Sequence, residues 1–212
     1  MILLVLCLSV LSGYSEVVAA WDFSNERAPA KAVPGWTTWS TNDLINHVSS
    51  TVGGLTLTHT SGAFSLFVKK IGTPAQILQF ATPLLTLLDN DDGLRVYEDG
   101  INNFAGKPVF TLSGLTPGKQ YRIQFVATFV GLNTEKNISI KQDNATAVNI
   151  IEGGDTTVLP TLVYSRYFIV TATADKTEVS FQFGTSGTPF NQAICGMIVE
   201  ENPAPAPALL VG

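Results

Sequence analysis

The chain has 212 residues, only 14% of them charged, with 12 Lys and Arg against 17 Asp and Glu for a net charge of −5. This deficit of basic residues argues against a nucleic-acid partner, and no polybasic run is present to hold an anionic lipid surface. Only two cysteines occur, Cys7 and Cys195, which excludes a disulfide-dense scaffold and leaves the fold to its apolar core.

In chain order, Ile2 to Leu11 is almost wholly apolar, and small and polar residues then lead to Val18-Ala19-Ala20. A short apolar run closed by small residues reads as an export leader cleaved after Ala20; it is too short for a spanning helix, which needs about 20 apolar residues. No Lys or Arg precedes the run, and a buried first strand is the competing reading. Cleavage there removes Cys7 and Glu16 and leaves 192 residues with 12 basic and 16 acidic side chains, a net charge of −4. The expected division is a leader over 1–20, one domain over 21–201 and a Pro/Ala-rich tail over 202–212.

Next come Trp36 and Trp39 in the turn-rich stretch Pro34-Gly35-Trp36-Thr37-Thr38-Trp39-Ser40, with Trp21 expected in the core. Two loop tryptophans are a candidate carbohydrate platform, because the C–H faces of a sugar pack on aromatic rings; the competing reading is a lid over the edge of the core. Tyr97, Tyr164, Tyr167 and Phe190 are weaker candidates, since aromatic side chains in strands usually pack. Period-2 alternation then predicts strands at Leu55–His59, Phe64–Val68, 94–98, 108–113, Tyr121–Phe129, 137–141, 147–151, 162–173, 179–183 and 193–200. The last, Ile194-Cys195-Gly196-Met197-Ile198-Val199, is apolar at every position and is expected to be covered on both faces, with Cys195 a small buried residue. Elsewhere one apolar and one wet face is expected, as where Tyr121, Ile123, Phe125 and Ala127 alternate with Arg122, Gln124 and Thr128. Pro74 to Asp89 is the single helix-like segment, interrupted by Pro83. The pattern predicts an all-β, two-sheet antiparallel β-sandwich of jelly-roll type, with one short helical stretch near 74–89.

Thr116-Pro117-Gly118-Lys119 has the Pro and Gly positions of a type II turn. The surrounding Leu112-Ser113-Gly114-Leu115-Thr116-Pro117-Gly118-Lys119-Gln120-Tyr121 resembles a pattern shared by fibronectin type III domains, where the Tyr forms a tyrosine corner. It also resembles galactose-binding-like and malectin-like jelly rolls of exported bacterial proteins. A fibronectin-sized domain would leave both flanks unused, and the closing run Ile194–Glu201 is similar to the last strand of the galactose-binding-like group, so one larger sandwich is favoured. Pro203 to Gly212 resembles the start of the sorting tails of some Gram-negative exported proteins, without their glutamate or basic end; a plain spacer is the alternative.

The acidic run Asp89-Asn90-Asp91-Asp92-Gly93 supplies oxygen ligands of the kind Ca²⁺ prefers, with Asp89, Asp91 and Asp92 as candidate ligands, although the EF-hand pattern is absent. A solvated turn is the competing reading. Asn137-Ile138-Ser139 and Asn144-Ala145-Thr146 match the glycosylation sequon. Catalytic inventory is thin. His47 and His59 are the two histidines, no nucleophile elbow, His-Glu-x-x-His motif or phosphate loop occurs, and Glu98 and Asp99 are neighbours that point to opposite faces of a strand. The expectation is a secreted or cell-surface, non-catalytic module that binds carbohydrate or another surface polymer through Trp36, Trp39 and Tyr97, with Ca²⁺ as a candidate cofactor. The alternative is a structural or adhesion subunit of an envelope, matrix or fibre, acting by self-association.

Overall fold

A computed structural model describes residues 16–24, 35–40, 49–62, 65–68, 99–102, 106–129, 138–149, 163–185 and 192–203. Every named element among them is a strand: β1 (Glu16–Ser24), β2 (Thr37–Ser40), β3 (Ser49–Val52), β4 (Leu55–Ser61), β5 (Ser65–Val68), β6 (Asp99–Asn102), β7 (Val109–Ser113), β8 (Gln120–Phe129), β9 (Ile138–Gln142), β10 (Val148–Asn149), β11 (Val163–Thr171), β12 (Glu178–Thr185) and β13 (Gln192–Glu201). The helical stretch expected near 74–89 and the strand expected at 94–98 lie outside the described residues.

The strands form two sheets. The larger runs β11-β8-β13-β1-β2, with β6 also pairing β13 and β5 pairing β6; the smaller runs β10-β9-β12-β7-β4-β3. All described pairs are antiparallel except β1 with β2. An all-β, antiparallel-dominated sandwich is therefore the architecture. As its unbroken apolar run requires, β13 sits between β8 and β1, and Ile194 to Val199 are buried, Cys195 among them.

Alternation builds the core. From the larger sheet Trp21, Phe23, Ile123, Phe125, Met197 and Val199 point inward, and from the smaller Leu57, Phe110, Leu112, Phe181 and Phe183 meet them. Phe125 packs edge-on against Phe181 and Phe183 at centroid separations of 4.9 and 5.1 Å, a geometry that aligns ring edges with ring faces. His59 shares the inward face of β4: it is buried, lies 5.1 Å from Phe110 and donates through Nε2 to the Ser61 carbonyl at 2.8 Å.

The predicted type II turn forms, with Gly118 at φ 84° and Lys119 N–H donating to the Thr116 carbonyl at 3.2 Å. Tyr121, the first core residue after it, accepts a hydrogen bond at Oη from the Thr116 N–H at 3.0 Å, the tyrosine-corner geometry the resemblance implied. The same hydroxyl donates to Glu201 Oε2 at 3.4 Å, and Lys119 Nζ donates to Glu201 Oε1, tying the turn to the end of β13. Glu201 holds the Lys119 ammonium above its ordinary value of 10.5 chiefly through that hydrogen bond, with partial burial opposing. The bond is therefore intact at neutral pH and is lost only as pH rises through the raised lysine value. Tyr121→Phe removes the acceptor of the Thr116 N–H while keeping the ring in the core. It is expected to lower the unfolding free energy by about 1–2 kcal/mol, read from urea denaturation.

Two findings depart from the alternation reading. Strand β1 is described from Glu16, and residues 16–20, read as leader or as a buried first strand, pair with β13 from Glu16 opposite Glu201 to Ala20 opposite Ile198. The second is the outer face of β8, expected to be wet: Arg122 and Gln124 are buried. Their register places Arg122 opposite Glu200 and Gln124 opposite Ile198, and Trp36 packs over Ile198 on that same face.

Candidate functional site

The outer face of the larger sheet carries chemistry that a plain sandwich does not need. Cross-strand register assembles it in rows, because directly opposed residues of an antiparallel pair share a face. One row runs Ile169, Arg122, Glu200, Val17 across β11, β8, β13 and β1; the next runs Tyr167, Gln124, Ile198, Ala20. Arg122 Nε lies 2.9 Å from Glu200 Oε2, close enough for an ion pair although the two atoms are out of line for a hydrogen bond. Both side chains are buried and, like Asp22 and Gln124, each makes further interactions. Burying two charges is tolerated when each finds the other and its remaining polar atoms are partnered.

Around this buried pair the surface is apolar. Among the described residues the exposed large apolar side chains are Val17 at 38%, Tyr167 at 38% and Ile169 at 45%, and all three stand on these two rows. The Arg122 guanidinium carbon lies 5.9 Å from the centroid of the Tyr167 ring, within cation–π range. The ring is thus backed by a cation and offered to solvent. Such a face can stack against an apolar ligand surface.

Trp36 also belongs to the outer face. It is half-buried over Ala20 and Ile198, and its ring lies so close to Gly196 that a Cβ there would meet Trp36 Cζ3 at 2.9 Å. Trp39 is on the other side of the sheet: only 1% exposed, with ring centroids 6.0 Å from both Phe23 and Phe110. The two tryptophans therefore do not make a shared platform, which corrects the expectation drawn from their spacing. In a strand, positions three apart point to opposite faces. Trp39 is a core residue, and Trp21 is too, its Nε1 donating to Ser50 Oγ at 3.0 Å.

Tyr97 and the acidic positions Asp89, Asp91 and Asp92 lie outside the described residues, as does His47. Among the described residues no group of three or more His, Cys, Asp or Glu side chains is placed to hold a metal ion. Asn144 and Thr146 of the second sequon are exposed in the turn between β9 and β10, whereas Asn137 of the first is outside the described residues. Among the described residues no helix is long and apolar enough to cross a membrane. Sequence reasoning held Tyr167 only as a weaker candidate and missed Ile169, because both fall in an alternating run where aromatic and aliphatic side chains ordinarily mark a core face. Their register against Gln124 and Arg122 was the signal available.

Fold and face together define a two-sheet β-sandwich with an aromatic outer patch. No protein-family model matches the chain, and no curated protein matches it. Among solved structures, its fold is similar to the ANXUR1 extracellular domain from Arabidopsis thaliana, at 11% identity and a TM-score of 0.53 over 90% of this chain and 52% of that one. Lower similarity is found to the ANX2 ectodomain from the same plant (13% identity, TM-score 0.44, 69% and 44% covered) and to Bacteroides uniformis beta-glucuronidase 2 (12%, 0.47, 89% and 18%). The chain thus spans about half of the ANXUR1 structure and under a fifth of the glucuronidase.

Proposed function

We propose that this chain is an exported, non-catalytic binding module for carbohydrate or another surface polymer, and that the ligand engages the outer face of the larger sheet at Tyr167, with Trp36 as a second aromatic contact. The observation that carries this reading is the placement of Val17, Tyr167 and Ile169, exposed together around a buried Arg122–Glu200 pair. Exposed apolar residues scattered singly need no explanation; Tyr167 and Ile169, two apart on one face of β11 and beside the Arg122 guanidinium, support a contact surface. Stacking a sugar ring on Tyr167 would use the ring face that solvent now covers, and rim groups would set orientation. The sandwich fold shared with an extracellular domain supports the export reading. Ca²⁺, held by Asp89, Asp91 and Asp92, stays a proposed structural cofactor on the chemistry of that acidic run alone.

A specific observation favours the alternative of a self-associating structural or adhesion subunit. Among the described strands β11, which carries Tyr167 and Ile169, ends the order of the larger sheet, and an edge strand is a ready template for pairing with another chain.

A polysaccharide and glycan binding screen, run with Ca²⁺ and with chelator, tests the first reading. Tyr167→Ala is expected to weaken binding at least about tenfold, a step of about 1.4 kcal/mol, with the unfolding midpoint unchanged. A folded protein that binds nothing in the screen but sediments as a concentration-dependent oligomer would favour the subunit reading instead.

A further inference from the structure

Resting on the export reading, we infer that Asn144 is the acceptor of an asparagine-linked glycan, carried on the turn between β9 and β10. The sequence supplies the chemistry: Asn144-Ala145-Thr146 is a complete sequon, with no proline at its middle position. Such tripeptides recur by chance, so the match alone assigns nothing. Occupancy needs an asparagine that a bulky sugar can leave without displacing the fold.

The turn meets that requirement. Strand β9 ends at Gln142 and β10 begins at Val148, so the sequon stands clear of the ladder that pairs Val148 with Ile140 and Asn149 with Ser139. Asn144, Ala145, Thr146 and Ala147 are all exposed. The residue before them holds the turn. Asp143 takes the left-handed region at φ 45°, which Asp tolerates better than most side chains. Its N–H donates to the Ser180 carbonyl at 2.8 Å, and its carboxylate accepts from the Ser180 N–H at 2.8 Å and from Lys176 Nζ at 2.6 Å. The Ala145 N–H closes the turn on the Gln142 carbonyl at 2.8 Å. Anchoring to β12 thus falls to Asp143, and the next side chain is left to solvent.

The position also suits the proposed contact surface. Strands β9 and β10 belong to the smaller sheet, whereas Tyr167 and Ile169 stand on β11 of the larger one. A glycan on Asn144 leaves the Tyr167 face open. In the transfer, Asn144 Nδ2 forms a bond to the anomeric carbon of an oligosaccharide carried on a lipid diphosphate. The bond from that carbon to the diphosphate oxygen breaks, the lipid diphosphate departs with the electron pair, and one amide proton passes to a base of the transferase. The Thr146 hydroxyl is the second element the transferase reads.

The test is to produce residues 1–212 in a secreting eukaryotic host, release glycans from the exported protein with an amidase in heavy-oxygen water, and map the marked asparagines by mass spectrometry. A mark at Asn144 is expected. Thr146→Ala should lower it at least about tenfold although Asn144 is retained, and Thr146→Ser should keep it. Both changes fall on an exposed position, so the deglycosylated proteins should share one unfolding midpoint. An exported protein without the mark would overturn the inference, as would a mark that Thr146→Ala leaves in place. A second form, with a proven export leader fused ahead of Met1, separates the two readings. Retention of the natural chain in the cell, with the fused form exported and marked, would overturn the export reading and not the acceptor assignment. A fused form exported without the mark would overturn the assignment itself.

Discussion

Trp39→Ala is expected to lower the unfolding free energy by about 3–5 kcal/mol, a large part of the 5–15 kcal/mol typical of a domain. The ring sits in a cluster with Phe23 and Phe110, and Phe110 in turn contacts His59 and Phe183, so truncation opens a cavity where the two sheets meet. The aromatic neighbours lack the flexibility to fill it. Trp39→Phe is expected to cost less than Trp39→Ala, partly because the buried Trp39 Nε1 has no hydrogen-bond acceptor among the described residues and its removal leaves nothing unsatisfied. Trp36→Ala, which uncovers Ala20 and Ile198 on the outer face, is expected to cost about 1–2 kcal/mol. Urea unfolding of the three variants checks the ranking. Equal, small losses for Trp39→Ala and Trp36→Ala would return Trp39 to the surface and restore the shared platform.

The second large effect is at the buried ion pair. Arg122→Ala or Glu200→Ala removes one charge of a buried ion pair, and each is expected to cost about 3–5 kcal/mol. Arg122→Met combined with Glu200→Leu removes both charges and keeps apolar volume. The double variant should be more stable than the sum of the Arg122→Met and Glu200→Leu single changes predicts, by about 1–3 kcal/mol. Strict additivity would mean that the two side chains, although 2.9 Å apart, stabilise the fold independently through their other partners. The pair also bears on binding. Because Arg122 lies behind Tyr167, its loss should weaken ligand binding through the orientation of that ring, whereas Tyr167→Ala removes the contact itself.

Several strands were legible because period-2 alternation is a local property. Leu55 to His59 in β4, Tyr121 to Ala127 in β8 and Val179 to Phe183 in β12 each display their inward face over five to seven residues. The Pro117-Gly118 turn and the tyrosine corner were legible for the same reason, since turn geometry is set by four adjacent residues. Strand β1 was obscured because the small and β-branched stretch Val17-Val18-Ala19-Ala20 satisfies both the end of a leader and a buried strand, and local composition does not distinguish them. The four residues of β2 were hidden in a turn-rich stretch. Had Thr37–Ser40 been read as a strand, the spacing of three would have put Trp36 and Trp39 on opposite faces at once.

By itself, then, the sequence determined the all-β class, the inward face of most strands, the burial of β13 and the tight turn before Tyr121, all of which follow from interactions within a few residues. Only the tertiary structure decided that Arg122 and Gln124 are buried, that Tyr167 and Ile169 are exposed, and that residues 16–20 belong to the sheet. Each depends on strand order: Arg122 meets Glu200 across 78 positions of chain, and β1 finds its place only against β13. Alternation assigns residues to two faces, but which face meets water depends on which strands become neighbours and what packs over them.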